Sequence, residues 1–202
     1  MVRIAVLDHG MGNLRSVARA LERVGAAVEV TADAEVLSRA DGLVVPGVGA
    51  FGACMRNLSG RGLEPALRAF LASGRPVFGV CLGMQILFEE SEEDPEPGLG
   101  ALPGTCRRLP SSVKVPHMGW NEVRWVRHHP YVDGIPQGTR FYFVHSYAAD
   151  VLEGATVGVT EHGRAFSAAV STGNVFATQF HPERSGQPGL ALYEAFVRGA
   201  GT

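Results

Sequence analysis

A cysteine stands between two glycines in Gly79-Val80-Cys81-Leu82-Gly83, preceded by the apolar run Val77–Val80 and followed by the helix-forming stretch Met84–Phe88. A strand that turns sharply into a helix presents its apical residue outward, and flanking glycines let strand and helix approach without a Cβ clash. A thiol at that apex faces the unpaired N–H groups of a helix start, which favour thiolate over thiol. That is an arrangement for nucleophilic chemistry. The same five residues also suit a buried cysteine acting as a small hydrophobe, so partners elsewhere in the chain must decide.

A cysteine nucleophile needs a base and a group that orients the base. Of the seven histidines, His9, His117, His128, His129, His145 and His162 read as solvated or structural. His181 differs because it follows the strand pattern Val175–Phe180, and α/β folds place their active sites at strand ends. Pro182 stiffens the next link, and Glu183 lies two residues on. In extended backbone Glu183 points the same way as His181 and can fix its tautomer. By itself His-Pro-Glu also fits a turn with a solvated glutamate.

Two glycine loops invite a nucleotide reading. Gly10-Met11-Gly12 lacks the third glycine, since Arg15 stands there. Gly47-Val48-Gly49-Ala50-Phe51-Gly52 satisfies G-x-G-x-x-G. The dinucleotide fingerprint also needs a carboxylate at the end of the next strand, which here ends at Val80-Cys81. The loops therefore read as tight turns at strand ends, or as backbone N–H groups aimed at a developing oxyanion.

The elements that must position these groups alternate in the first half. Strand patterns at Arg3–Leu7, Ala27–Val30, Gly42–Val45 and Val77–Val80 are interleaved with helical patterns at Leu14–Val24 and Glu64–Leu71. This predicts an open, mostly parallel twisted sheet with helices on both faces. After the acidic, proline-bearing stretch Glu89–Gly98, expected to be a surface loop, short β runs follow. They lie at Asn121–Val126, Thr139–Val144, Ala155–Val159, Ala165–Val170 and Val175–Gln179, an antiparallel extension with a turn at Ser171–Asn174. A helix at Gly189–Arg198 closes the chain. With no repeat or linker, residues 1–202 are expected to form one domain.

Bulk properties narrow the class. The chain has 202 residues, 46% of them hydrophobic, and a net charge of −2, so it carries no electrostatic footprint for nucleic acid or an anionic membrane. Its one lysine is Lys114. Cys54, Cys81 and Cys106 form no C-x-x-C pair, which argues against a metal or redox centre and fits a reducing cytoplasm. The N-terminal apolar stretch is too short for a signal peptide and reads as a first strand.

An elbow cysteine with a strand-end His-Pro-Glu one hundred residues later resembles the class I, triad-type glutamine amidotransferases, over essentially the whole chain. The resemblance implies a flavodoxin-like fold and no cofactor or metal, with Cys81 as nucleophile, His181 as general base and acid, and Glu183 as orienter. It also implies an oxyanion hole and glutamine site built from Gly47, Val48, Gly49, Leu82, Gly83, Gln85, Ser146 and Tyr147. Four motifs in order narrow the branch. They are Asp8-His9-Gly10-Met11-Gly12-Asn13, Pro46-Gly47-Val48-Gly49-Ala50-Phe51, Pro116-His117-Met118-Gly119-Trp120-Asn121 and Tyr142-Phe143-Val144-His145-Ser146-Tyr147. They resemble the glutaminases that serve imidazole glycerol phosphate synthases. That branch often has tyrosine where His9 stands and lysine where Arg184 stands; arginine keeps the charge but changes the geometry.

The resemblance implies a heterodimeric partner, a (β/α)8-barrel cyclase that consumes the ammonia, with Asn13, Trp120, Tyr142 and Arg184 at the interface. Because a free glutaminase would waste glutamine, Val48 or Gly49 is expected to reorient only when the cyclase carries its ligand. The rival readings are the glutaminase of pyridoxal phosphate synthase, expected to carry Gly-Gly-Glu-Ser at 46–49, that of anthranilate synthase, expected to carry Pro-Gly-Pro-Gly, and a non-catalytic flavodoxin-like binding module. Val48 argues against the first two, and the intact Cys81, His181 and Glu183 against the third.

Overall fold

The computed structural model describes residues 1–202. The first half runs β1 (Arg3–Leu7), α1 (Leu14–Arg23), β2 (Ala27–Thr31), α2 (Ala34–Arg39), β3 (Gly42–Val45), α3 (Phe51–Gly60), α4 (Glu64–Ala72), β4 (Val77–Val80) and the single turn α5 (Leu82–Gln85). The second half runs β5 (Phe88–Ser91), β6 (Leu102–Arg108), β7 (His117–Trp125), β8 (Thr139–His145), β9 (Tyr147–Ala149), β10 (Thr156–Glu161), β11 (Ala165–Thr172), β12 (Val175–Thr178) and α6 (Gly186–Ala200).

Nine strands form one sheet in the order β2-β1-β3-β4-β12-β11-β10-β7-β8. The first five are mutually parallel, and β11, β10, β7 and β8 extend them antiparallel. The parallel strands are apolar on both faces, as strands covered twice must be. Ile4, Val6, Val44, Phe78 and Phe176 pack toward α1 and α6, while Ala5, Leu7, Leu43, Val45 and Ala177 pack toward α2, α3 and α4. Phe78, beside the elbow, is fully buried against Phe176, Tyr193 and Phe196, with ring centroids 5.3–5.5 Å apart. Truncating such a side chain costs about 3–5 kcal/mol, so the strand that carries Cys81 is firmly seated.

The structure departs from the sequence expectations in several places. The helix after Cys81 ends at Gln85, and Phe88–Ser91, expected as helix end and surface loop, is a strand. Phe88 pairs with Leu102, and β5, β6 and β9 form a second, three-stranded sheet. Burial of Phe88 there outweighs the helical preference of its neighbours. The helices α2 and α3 were hidden by short length and by glycines respectively. In α3, Phe51, Cys54, Met55 and Leu58 fall at helical spacing and are all buried. The strand expected from Asn121 begins at His117, opposite His145.

Candidate active site

Because β1, β3, β4 and β12 are parallel, their carboxyl ends lie on one side, and each delivers one part of the site there. After β4, Cys81 adopts φ 54°, ψ −106° and is the one non-glycine residue with positive φ. The glycines explain how that turn closes. A Cβ on Gly83 would land on the Val45 carbonyl, and one on Gly79 would stand 2.7 Å from the Gly83 oxygen. The Cys81 sulfur accepts from Gln179 Nε2 at 3.6 Å and lies 3.9 Å from the Val144 carbonyl.

After β12, His181 and Glu183 are joined through a 3₁₀ turn, Pro182–Arg184, rather than through extended backbone. The turn is held by Arg184 N–H to His181 O, Ser185 N–H to Pro182 O and Ser185 Oγ to His181 O. It folds the carboxylate back so that His181 Nδ1 donates to Glu183 Oε1 at 2.9 Å. Both side chains are almost wholly buried. A carboxylate accepts only, so Nδ1 carries the proton, and Nε2 is left buried without a partner. Burial alone would push His181 down. A negative charge on Cys81, and after it Glu183, more than reverses this and raises it to about 10.

Glu183 is itself surrounded. Asn13 Nδ2 reaches Oε1 at 3.5 Å, so Asn13 sits closer to the triad than a purely peripheral residue would. The fully buried Tyr193 phenol, on α6, is held well above its ordinary range by burial and then by Glu183.

A cavity of about 340 Å³ opens over the sulfur. It is lined by Val48 and Gly49 after β3, by Cys81, Leu82 and Gln85, by Pro116, and by Val144, His145, Ser146 and Tyr147. Leu82 and Gly83 open α5, so their N–H groups have no intrahelical acceptor. Gly47 is buried, packed against the elbow, whereas Val48 is 41% exposed and Gly49 has φ +111°. Gln85 donates to Tyr147 O at 2.8 Å and to Gln179 Oε1 at 3.0 Å, which leaves its oxygen for a ligand. A larger cleft of about 420 Å³ lies by β1, β2 and α2, but its titratable lining is Arg3, Glu29 and Arg39, with no nucleophile.

Three participants were not read from the sequence. Gln179 is two residues before His181, and strand alternation could have placed it on the same side. Glu93, in the acidic stretch expected to be surface, is the one carboxylate lining the cavity, and its Oε2 accepts from Phe51 N–H at 2.8 Å. His145 heads a buried relay. Its Nδ1 donates to Tyr147 O at 2.8 Å, so its Nε2 accepts from His117 Nδ1 at 3.0 Å, and His117 Nε2 accepts from Asn121 at 3.2 Å. Burial, before any neighbouring charge, pushes His117 down to about 4 and His145 to about 3, so both remain neutral and the wall stays fixed.

The third glycine of the apparent nucleotide fingerprint has another use. A Cβ on Gly52 would land on the Asp94 carboxyl group, which pairs with Arg56 at 3.2 Å. The glycine makes room for a carboxylate, where a phosphate site would want none.

Trp120 is 54% exposed and stacks edge-on with Tyr142 at 6.2 Å, and the Arg184 guanidinium lies 5.0 Å from the Tyr142 ring centroid. With Met118, 63% exposed on the same strand as Trp120, they form an apolar and cationic patch beside the turn that carries His181 and Glu183. Of the cavity residues expected from sequence, Val48, Gly49, Leu82, Gln85, Ser146 and Tyr147 line the cavity with Cys81, whereas Gly47 and Gly83 pack behind it and His181 and Glu183 lie outside its lining.

This fold and site define a class. Residues 5–199 match the family Glutamine amidotransferase class-I, and the chain belongs to the class I glutamine amidotransferases. Solved structures agree on the fold. A protein described as glutamine amidotransferase superposes with a TM-score of 0.77 at 24% identity, covering 98% of this chain and 99% of that one. PurLQS from Thermotoga maritima gives 0.77 at 21%, covering 98% of both. Within the class the chain falls with the HisH subunits of imidazole glycerol phosphate synthase. It is 49% identical to that of Moorella thermoacetica over 98% of this chain and 97% of the relative, and 50% identical to that of Mycolicibacterium paratuberculosis over 96% of each.

Proposed function

We propose that this chain is the glutaminase subunit of an imidazole glycerol phosphate synthase, acting in histidine biosynthesis, and that Cys81, His181 and Glu183 carry the hydrolysis. The observation that carries the reading is the state of His181. Its Nδ1 is committed to Glu183, its Nε2 is unpartnered, and the positive-φ Cys81 stands close enough to raise its proton affinity.

Glutamine enters the cavity with its side-chain amide over the sulfur. The thiolate adds to the carbonyl carbon, and the oxyanion that forms is met by the free Leu82 N–H and by an N–H of Val48 or Gly49. The imidazolium gives its proton to the amide nitrogen, the C–N bond breaks, and ammonia leaves from a γ-glutamyl thioester. His181, now neutral, takes a proton from water, and the hydroxide cleaves the thioester. Glutamate departs and the sulfur leaves as thiolate beside the imidazolium, which restores the ion pair. Glu93 and the Gln85 oxygen suit the α-ammonium of the substrate, while Ser146 and Tyr147 suit its carboxylate.

The ammonia goes to a (β/α)8-barrel cyclase docked on the Met118–Trp120–Tyr142–Arg184 patch, which yields imidazole glycerol phosphate and an aminoimidazole-carboxamide ribotide. An electrophilic glutamine analogue tests the active site. It should modify Cys81 and be excluded by glutamine, and loss of labelling should track loss of hydrolysis in Cys81→Ala. Hydrolysis that survives Cys81→Ala would refute the reading.

A further inference from the structure

We infer that His9 is a positioning residue for the oxyanion strand: one buried imidazole ties down both ends of the Gly47–Ala50 segment and confines backbone reorientation to Val48 and Gly49. The inference rests on the glutaminase reading, in which that segment supplies an oxyanion donor.

His9 follows β1 on the side where the other parallel strands end, and it is completely buried. Its Nε2 lies 2.7 Å from the Pro46 carbonyl oxygen, directly before the segment. A carbonyl only accepts, so Nε2 carries the proton. Burial pushes His9 below its ordinary value, with the Pro46 hydrogen bond and Asp8 opposing and Arg61 assisting, so the ring is neutral and Nδ1 has a bare lone pair. The Cys54 sulfur lies 3.6 Å from that nitrogen, and burial pushes the thiol up to about 12, so it stays S–H and donates. Cys54 belongs to α3, directly after the segment. One ring therefore holds the residue before the loop and the helix after it.

Two further contacts agree with this division. Gly47 is wedged against the elbow, where a Cβ would stand 2.7 Å from Leu82 Cβ, and the Phe51 N–H at the start of α3 is taken by Glu93. Val48 and Gly49 have no such tether. Val48 is exposed, and Gly49 holds a positive φ that a glycine adopts and leaves at little cost. A catalytic donor has to stand at a set place relative to the sulfur. A loop anchored at both ends by the same side chain delivers that with a two-residue moving part.

The experiment is steady-state glutamine hydrolysis by the full chain assembled with its cyclase and the cyclase's ribonucleotide ligand. His9→Gln places an amide N–H where Nε2 stands and keeps the Pro46 contact, whereas His9→Asn places its amide where Nδ1 stands and loses it. We expect His9→Asn to lower kcat about tenfold with KM for glutamine unchanged, less than loss of an oxyanion donor costs, and His9→Gln to stay within about twofold of the parent. Equal kcat in the two variants, or a change confined to KM, would overturn the assignment.

Should His9→Asn fail to fold, the tautomer in the unaltered chain decides. Nitrogen NMR of His9 should show a protonated Nε2 and a bare Nδ1, and the opposite tautomer would overturn it. Cys81→Ala in the same assay separates the two levels: hydrolysis surviving that change refutes the glutaminase reading, while the His9 variants speak only to positioning.

Discussion

The backbone of Tyr142 holds His181 in place. The Tyr142 carbonyl accepts from His181 N–H at 2.9 Å, and the Tyr142 N–H donates to Ser185 Oγ at 3.0 Å. The edge of β8 thus seats the turn that carries the base. The ring of the same residue faces outward between Trp120 and Arg184. A partner resting on that ring is one backbone hydrogen bond from His181.

Trp120→Ala and Arg184→Ala should therefore weaken binding of the cyclase, each by about 1–2 kcal/mol, as expected for aromatic and arginine anchors in an interface. The free chain should lose little stability, about 0.5 kcal/mol or less, because both side chains are largely exposed. Titration calorimetry or biolayer interferometry reads the first effect and thermal melting the second. Unchanged affinity in both variants would show that the partner docks elsewhere.

The titration of His181 tests the ion pair. Burial lowers its proton affinity, and Cys81 and Glu183 raise it to about 10, above the ordinary 6.5. A raised value in the folded state contributes stability that is full below about 6.5 and is lost as pH rises through about 10. Removing the sulfur removes the largest of the raising causes. NMR titration of the imidazole should therefore show a lower value in Cys81→Ala than in the parent, and no downward shift would mean that no thiolate faces the ring.

Gly83→Ala should be costly. The added methyl group meets a backbone carbonyl on the neighbouring β3, which cannot rotate away. A destabilisation of about 3 kcal/mol is expected, as for overpacking at a rigid site. In a chain of this size that lowers the melting temperature by roughly 10 °C. Calorimetry of the variant reads it directly, and a melting point within a degree or two of the parent would show that α5 can shift.

Turnover should depend on the partner. On the proposal that Val48 or Gly49 reorients to complete the oxyanion hole only in the assembled state, the isolated chain should hydrolyse glutamine slowly, and addition of the cyclase with its ribonucleotide ligand should raise kcat. Ammonia release measured with and without the partner settles this. Full turnover by the isolated chain would show that the hole is complete before docking.

Local signals carried much of the fold. The strands Arg3–Leu7, Gly42–Val45 and Val77–Val80 were legible because strands buried on both faces are apolar throughout. Pro65, in the first turn of α4, was compatible with the helix it begins. Phe88–Ser91 was not legible, because its partner Leu102 lies in another part of the chain and sequence-local preference says nothing of that pairing. The helix at Phe51–Gly60 was masked by its glycines, and the use of Gly52, making room for Asp94, depends on the tertiary arrangement.

For the site, the sequence by itself determined the reagents. A strand-turn-helix with glycines around Cys81 put a thiol at the apex of a turn, and His181 followed by Pro182 and Glu183 put an imidazole and a carboxylate two residues apart, since these are matters of local residue order. Only the tertiary structure decided that the two meet. Parallel pairing of β4 with β12 brings residues one hundred positions apart to the same sheet end. It also decided the supporting cast: Gln179 on the sulfur, Glu93 in the cavity, His145 on Tyr147, and His9 on Pro46. Those contacts arise between elements far apart in the chain, where burial and hydrogen-bond geometry, and not residue order, select the partner.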